Sequence, residues 1–168
     1  MHRELDRSSM RRTLMRRHLL YAAAIMIGFA ALTPVAKASS LVHSAAYPNR
    51  IKVTNATYHL GLRVEGNPLS QLSILVPDDA PGKIWFSNRV EVTDRAGHLV
   101  NTTSSSDGKR VTIAFTQPVL SGTILEIDLK GVRTSDLLGR TWLFPIEGIG
   151  VNSNQAIQLG TARIQTYK

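Results

Sequence analysis

The sequence predicts an all-β fold, an antiparallel sandwich of about eight strands. Three observations lead there. Apolar residues recur with period two over most of the chain beyond residue 50, turn residues punctuate those runs every ten or so positions, and no stretch beyond residue 38 has the 3.6-residue apolar spacing of an amphipathic helix. A sheet with one apolar face has to cover it with another, so half-buried strands in this number imply two packed layers of the immunoglobulin-like kind.

The strands follow in order. Tyr58, Leu60, Leu62 and Val64 alternate with His59, Gly61, Arg63 and Glu65. Leu72, Ile74 and Val76 repeat the pattern, as do Ile84, Phe86, Val90 and Val92 opposite Ser87, Arg89, Glu91 and Thr93. Turns are expected at 65–68, 77–82, 94–97 and 107–108, where Gly, Pro, Asn and Asp supply the backbone angles and local hydrogen bonds of tight reversals. Val92 to Val100 reads as a hairpin around Asp94 to Gly97, and Asn101 to Ser106 as a loop or ragged edge strand. Val111, Ile113 and Phe115 form one apolar row and Leu125, Ile127 and Leu129 another. Pro118 and Gly122 between them predict a reversal that makes the two strands an antiparallel pair, with Glu126, Asp128 and Lys130 facing water. Trp142, Phe144 and Ile146 make a further strand, and Ala156 to Tyr167 the last, bent or bulged at Gly160. Thr134 to Leu138 has room for one helical turn at most.

The beginning of the chain is of another kind. Arg11, Arg12, Arg16 and Arg17 precede an uncharged, largely apolar run from Leu19 to Leu32, and Ala36-Lys37-Ala38 offers small residues around a cleavable bond. Residues 1–38 therefore read as a secretory signal peptide cut after Ala38, with an uncleaved membrane anchor as the alternative. The apolar run falls short of the roughly 20 residues a membrane-crossing helix needs, so membrane contact is expected only during export. Residues 39–49 read as a flexible tether, and 50–168 as the sandwich domain. The chain has no cysteine, which suits a periplasmic or extracellular bacterial protein stabilised by its core rather than by disulfides.

Charge excludes one class of partner. The net charge of +8 shrinks once the leader is set apart, because residues 1–38 hold seven of the 20 Lys and Arg and two of the 12 acids. The remaining +3 is spread without the clustered cations that tracking a phosphate backbone requires, so no nucleic acid is expected.

Reactive motifs are missing. The sequence holds no Gly-x-Ser-x-Gly, Walker or His-Glu-x-x-His pattern, and Gly148-Ile149-Gly150 lacks both the third glycine and the following helix of a dinucleotide site. No catalytic, cofactor-binding or metal-binding residue is assigned, which points away from an enzyme. His43, His59 and His98 read as independent surface histidines; a metal site would need three or four ligands brought together, with Asp, Glu or Met from elsewhere in the fold as the partners. Asp78, Asp79, Asp94 and Asp107 read as turn formers. Trp85 is the candidate partner contact: alternation sets it on the face opposite Ile84 and Phe86, where a flat ring can stack on a sugar or a protein surface.

The stretches LSQLSILVP, VTIAFTQPVLSGTILEIDLKGVR and GRTWLFPIEGIG together resemble a family of exported cyanobacterial proteins grouped as a domain of unknown function. The resemblance rests on Pro68, Leu69 and Leu72, on Phe115, Pro118 and Val119 followed by Gly122 and Thr123, and on the aromatic strand ending at Gly150. After Val132-Arg133, where the family has Asn-Pro, this chain has Thr134-Ser135. The resemblance implies an exported β-sandwich and supplies no catalytic residues. Two functions are compatible with the sequence: a non-enzymatic domain that binds an envelope component or a protein partner, or a periplasmic metal-binding protein of the copper type.

Overall fold

A computed structural model describes residues 39–80, 84–135 and 138–168; the expected signal peptide, residues 1–38, lies outside them. The described residues form ten strands: β1 (Ser40–Tyr47), β2 (Ala56–Arg63), β3 (Leu69–Leu75), β4 (Ile84–Trp85), β5 (Arg89–Asp94), β6 (Thr102–Ser106), β7 (Arg110–Val119), β8 (Ile124–Thr134), β9 (Thr141–Gly150) and β10 (Ala156–Gln165). They make two five-stranded sheets. One runs β1-β2-β8, with β8 carrying β5 along most of its second edge and β4 at its far end; the other runs β10-β9-β3-β7-β6. All named pairings are antiparallel, so the fold is the predicted all-β, immunoglobulin-like sandwich.

The predicted apolar rows are the core. Tyr58, Leu60 and Leu62 of β2 and Leu125, Ile127 and Leu129 of β8 face Leu72, Ile74, Ile113, Trp142, Phe144 and Ile146 of the opposite sheet, all of them buried. At roughly 1.5–3 kcal/mol for each large apolar side chain removed from water, these two layers set the register of both sheets. Tyr58, Phe86 and Phe144 pack edge to face, with ring centroids 5.7 to 6.0 Å apart.

Four sequence expectations change. The tether at 39–49 is instead the edge strand β1, paired with β2 from Ser40↔Arg63 to Tyr47↔Thr57. Side chains hold it: Ser39 Oγ donates to the Glu65 carbonyl and accepts from the Glu65 N–H, and Ser44 Oγ does the same with Arg163 of β10. Its alternation was hidden by a bulge, since Leu41 pairs with Leu62 and His43 with Gly61, leaving Val42 as an extra residue. Second, β7 and β8 are not a hairpin but lie in different sheets. The chain crosses between layers at Leu120–Thr123, fixed by Gly122 N–H to Val64 carbonyl and Val64 N–H to Thr123 carbonyl bonds. Third, the strand expected over Ile84–Val92 is two, β4 and β5, separated by Phe86–Asn88. Fourth, Thr134 ends a strand rather than starting a helical turn, and residues 136–137 lie outside the described set.

Other expectations hold. Asn101–Ser106 contributes the edge strand β6, Asp94–Gly97 closes a hairpin, and the β9–β10 register shifts between Gln158 and Gly160.

Burial pushes the Tyr58 phenol well above its usual range, and its hydroxyl has no hydrogen-bond partner among the described residues. A raised phenol in the folded state contributes stability below the ordinary tyrosine range near pH 10 that is lost as pH rises beyond it. Tyr58→Phe removes an unsatisfied buried hydroxyl, so it is expected to raise stability by about 1 kcal/mol in denaturant titrations. It is also expected to flatten the fall in stability above about pH 10. A variant less stable than the parent, with the same alkaline slope, would contradict this.

Candidate functional site

The outer face of the β1-β2-β8-β5 sheet gathers the polar residues that the core excludes. Cross-strand register sets His43 opposite Gly61 and Gly61 opposite Glu126; in the next row, His59 stands opposite Asp128 and Asp128 opposite Glu91. The bulge at Val42 makes this arrangement available. Leu41 points inward beside Leu62, and the extra residue resets the pleat so that His43, two positions later, points outward.

Two of the three histidines therefore converge, and the expectation of independent surface histidines is corrected. The rings of His43 and His59 stack with centroids 5.2 Å apart and planes 24° from parallel. Both Nε2 atoms reach one carboxylate oxygen, Glu126 Oε2, at 3.1 Å from His43 and 3.2 Å from His59. On its other side His59 Nδ1 lies 2.5 Å from Asp128 Oδ1. Gly61 makes the space, since a Cβ there would fall within 3 Å of the His43 ring. The His43 and His59 side chains remain 44% and 40% exposed, so the cluster is open to solvent. Lys130 bonds Glu91 at 2.6 Å in the same layer.

His98 stays apart. It sits at the Asp94 hairpin, with Nδ1 3.0 Å from Asp94 Oδ2. The backbone N–H of His98, its imidazole and the backbone N–H of Ala96 hold the Asp94 carboxyl below its usual range. Asp94 and Asp107 both accept backbone N–H groups within their own turns, as the sequence indicates. Several cations of the domain face acids: Arg110 faces Glu147, Lys130 faces Glu91 and Arg140 faces Asp79.

Trp85 lies where alternation sets it, on the outside, 44% exposed on the two-residue strand β4. It pairs with Arg133 of β8 and lines an open groove of about 510 Å³ with Phe86, Ser87, Gly131 and Arg133. Gly131, at φ 71°, carries the second register shift that matters here; beyond it Val132 turns inward and Arg133 outward beside Trp85. Ser87 Oγ bonds the Lys130 carbonyl and braces the groove floor. Trp142 is buried, as its apolar row requires, with the Arg140 guanidinium 4.9 Å above its ring.

Glu126 and Asp128 were read from the sequence only as water-facing residues. The outward pairs His59-x-Gly61 and Glu126-x-Asp128 carry the signal that places them, but it is readable only once β2 is known to pair with β8.

The chain belongs to the family described as "Protein of unknown function (DUF2808)", whose profile matches residues 31–166. No curated protein matches it. Among solved structures it is similar to the major pilin subunit of Bacillus cereus, at 9% identity and a TM-score of 0.54, over 77% of this chain and 41% of that one. It is likewise similar to the N-terminal domain of a Streptococcus gordonii adhesin, at 14% identity and a TM-score of 0.53, over 78% of this chain and 33% of the other. The chain thus spans less than half the length of either, and at these identities the likeness is one of fold.

Replacing Gly61 by Ala tests the packing of the cluster. The added methyl meets the far end of an exposed side chain, so stability should stay within about 1 kcal/mol of the parent. The His43 ring should swing away from Glu126, moving its ring resonances in long-range proton–nitrogen spectra. Unchanged His43 resonances would contradict the stacked arrangement.

Proposed function

We propose that the protein is an exported, non-enzymatic sandwich domain that works by binding, with a cell-envelope component or another envelope protein as its partner and Trp85 as the central contact. One observation carries the reading: a tryptophan nearly half exposed on a two-residue strand, at an open groove that it shares with the exposed Arg133. An exposed indole leaves apolar surface in water, and tryptophan and arginine are among the residues most enriched at binding hot spots. The groove floor is formed by paired strands, so the contact surface is preorganised.

Two further lines support it. The basic, then apolar, leader fits export to the periplasm or beyond. The sandwich is built like domains of a pilin and an adhesin, whose names place them at bacterial surfaces. The groove needs no reactive group to hold a flat or extended partner.

Cosedimentation of the full chain with the insoluble envelope fraction of its own cells tests the reading. The parent protein should bind saturably, and Trp85→Ala should raise the apparent Kd about tenfold or more, as loss of a hot-spot aromatic does. Arg133→Ala should weaken binding less. Equal recovery of parent and Trp85→Ala would contradict Trp85 as the contact, and no saturable binding to envelope material or its proteins would contradict the function.

A further inference from the structure

We propose that His43 Nε2, His59 Nε2 and Glu126 Oε2 form a binding site for a divalent first-row cation, zinc or copper(II), with Asp128 bracing His59 from behind. The three donor atoms lie within 4.8 Å of one another. In a tetrahedral centre with bonds of about 2.0–2.1 Å, donors stand about 3.3 Å apart. The two nitrogen-to-oxygen edges here, 3.1 and 3.2 Å, are already at that spacing. The remaining edge, between the two histidine nitrogens, lies within 4.8 Å and closes by rotation of the two half-exposed rings.

The neighbours of His59 fit a cation as the distances do. With a ring proton on Nδ1, toward Asp128, Nε2 is left to ligate. Nε2 faces Glu126 Oε2 at 3.2 Å, and a metal ion set between them makes ligands of both. Glu126 Oε2 is buried and receives no hydrogen bond from the described residues, although two ring nitrogens flank it. A carboxylate behind a ligating histidine is the usual outer-shell brace, which fixes the tautomer and the ring plane.

The donor set also selects the ion. Two imidazoles and one carboxylate suit zinc or copper(II), with copper bound more tightly. Magnesium and calcium ask for oxygen donors throughout. Copper(I) asks for sulfur, and the chain has no cysteine and no methionine beyond Met26. With both rings 40% or more exposed, the fourth position faces solvent and would take water or a donor from a bound partner. An occupied site ties the edge strand β1 to β2 and β8, so binding should stabilise the attachment of the first strand.

The test is calorimetric titration of ZnCl2 and CuCl2 into the metal-free full chain, with electron paramagnetic resonance of the copper form. One equivalent should bind saturably. His43→Ala, His59→Ala and Glu126→Gln should each weaken binding more than about tenfold, and Asp128→Asn by about 10- to 100-fold. Gly61→Ala, which keeps all the donors but displaces His43, should weaken it too, whereas His98→Ala should not. The copper spectrum of the parent should show two coordinated imidazole nitrogens, a readout that does not depend on any variant folding. Absence of saturable binding, fewer than two nitrogens, or affinity unchanged in His43→Ala and His59→Ala would overturn the site.

Discussion

Strand parity is the constraint on which both surface sites depend. A side chain in a strand faces in or out according to whether its position is odd or even, and only an extra residue can reset the count. In β1 the inward positions are Leu41, then Ser44 and Ala46, a sequence possible only because Val42 is inserted opposite β2. In β8 the inward row Leu125, Ile127, Leu129 continues as Val132 and Thr134 after the shift at Gly131. The first reset turns His43 outward and the second turns Arg133 outward.

Magnitudes show which interactions impose this order. The buried leucines, isoleucines and aromatics of the two inner layers contribute roughly 1.5–3 kcal/mol each. The half-exposed histidine–carboxylate contacts around Glu126 contribute about 0–1 kcal/mol. The core therefore dictates the register, and the histidine–carboxylate cluster is carried to the outer face by it. A cluster that adds so little to stability is free to be kept for what it binds. The same holds at Trp85, whose strand is too short to hold itself and depends on its pairing with Thr134 and Arg133.

The sequence made the central strands legible because their inner rows alternate without interruption: Tyr58 to Val64, Val111 to Phe115, Leu125 to Leu129 and Trp142 to Ile146. It obscured the elements in which alternation breaks. β1 reads Leu41-Val42-His43-Ser44-Ala45-Ala46, small and aperiodic, because the bulge scrambles its parity and its anchors are serines bonded to distant backbone. The link from β7 to β8 carries the proline and glycine of a hairpin, yet it crosses between sheets; turn chemistry specifies a reversal without saying which layer the next strand joins. Trp85 could be placed outside from its neighbours alone. The histidine pair could not, since it depends on β1 being a strand, on its bulge, and on β2 lying between β1 and β8, none of which is a local property.

The central claim is that β1 is docked on β2 with His43 turned over Gly61. Nuclear Overhauser spectroscopy of the labelled protein measures this directly. The account predicts contacts from the His43 ring protons to the Gly61 Hα protons, together with slowly exchanging amides within β1. A His43 ring without contacts to β2, in a segment whose amides exchange as fast as an unstructured chain, would contradict it.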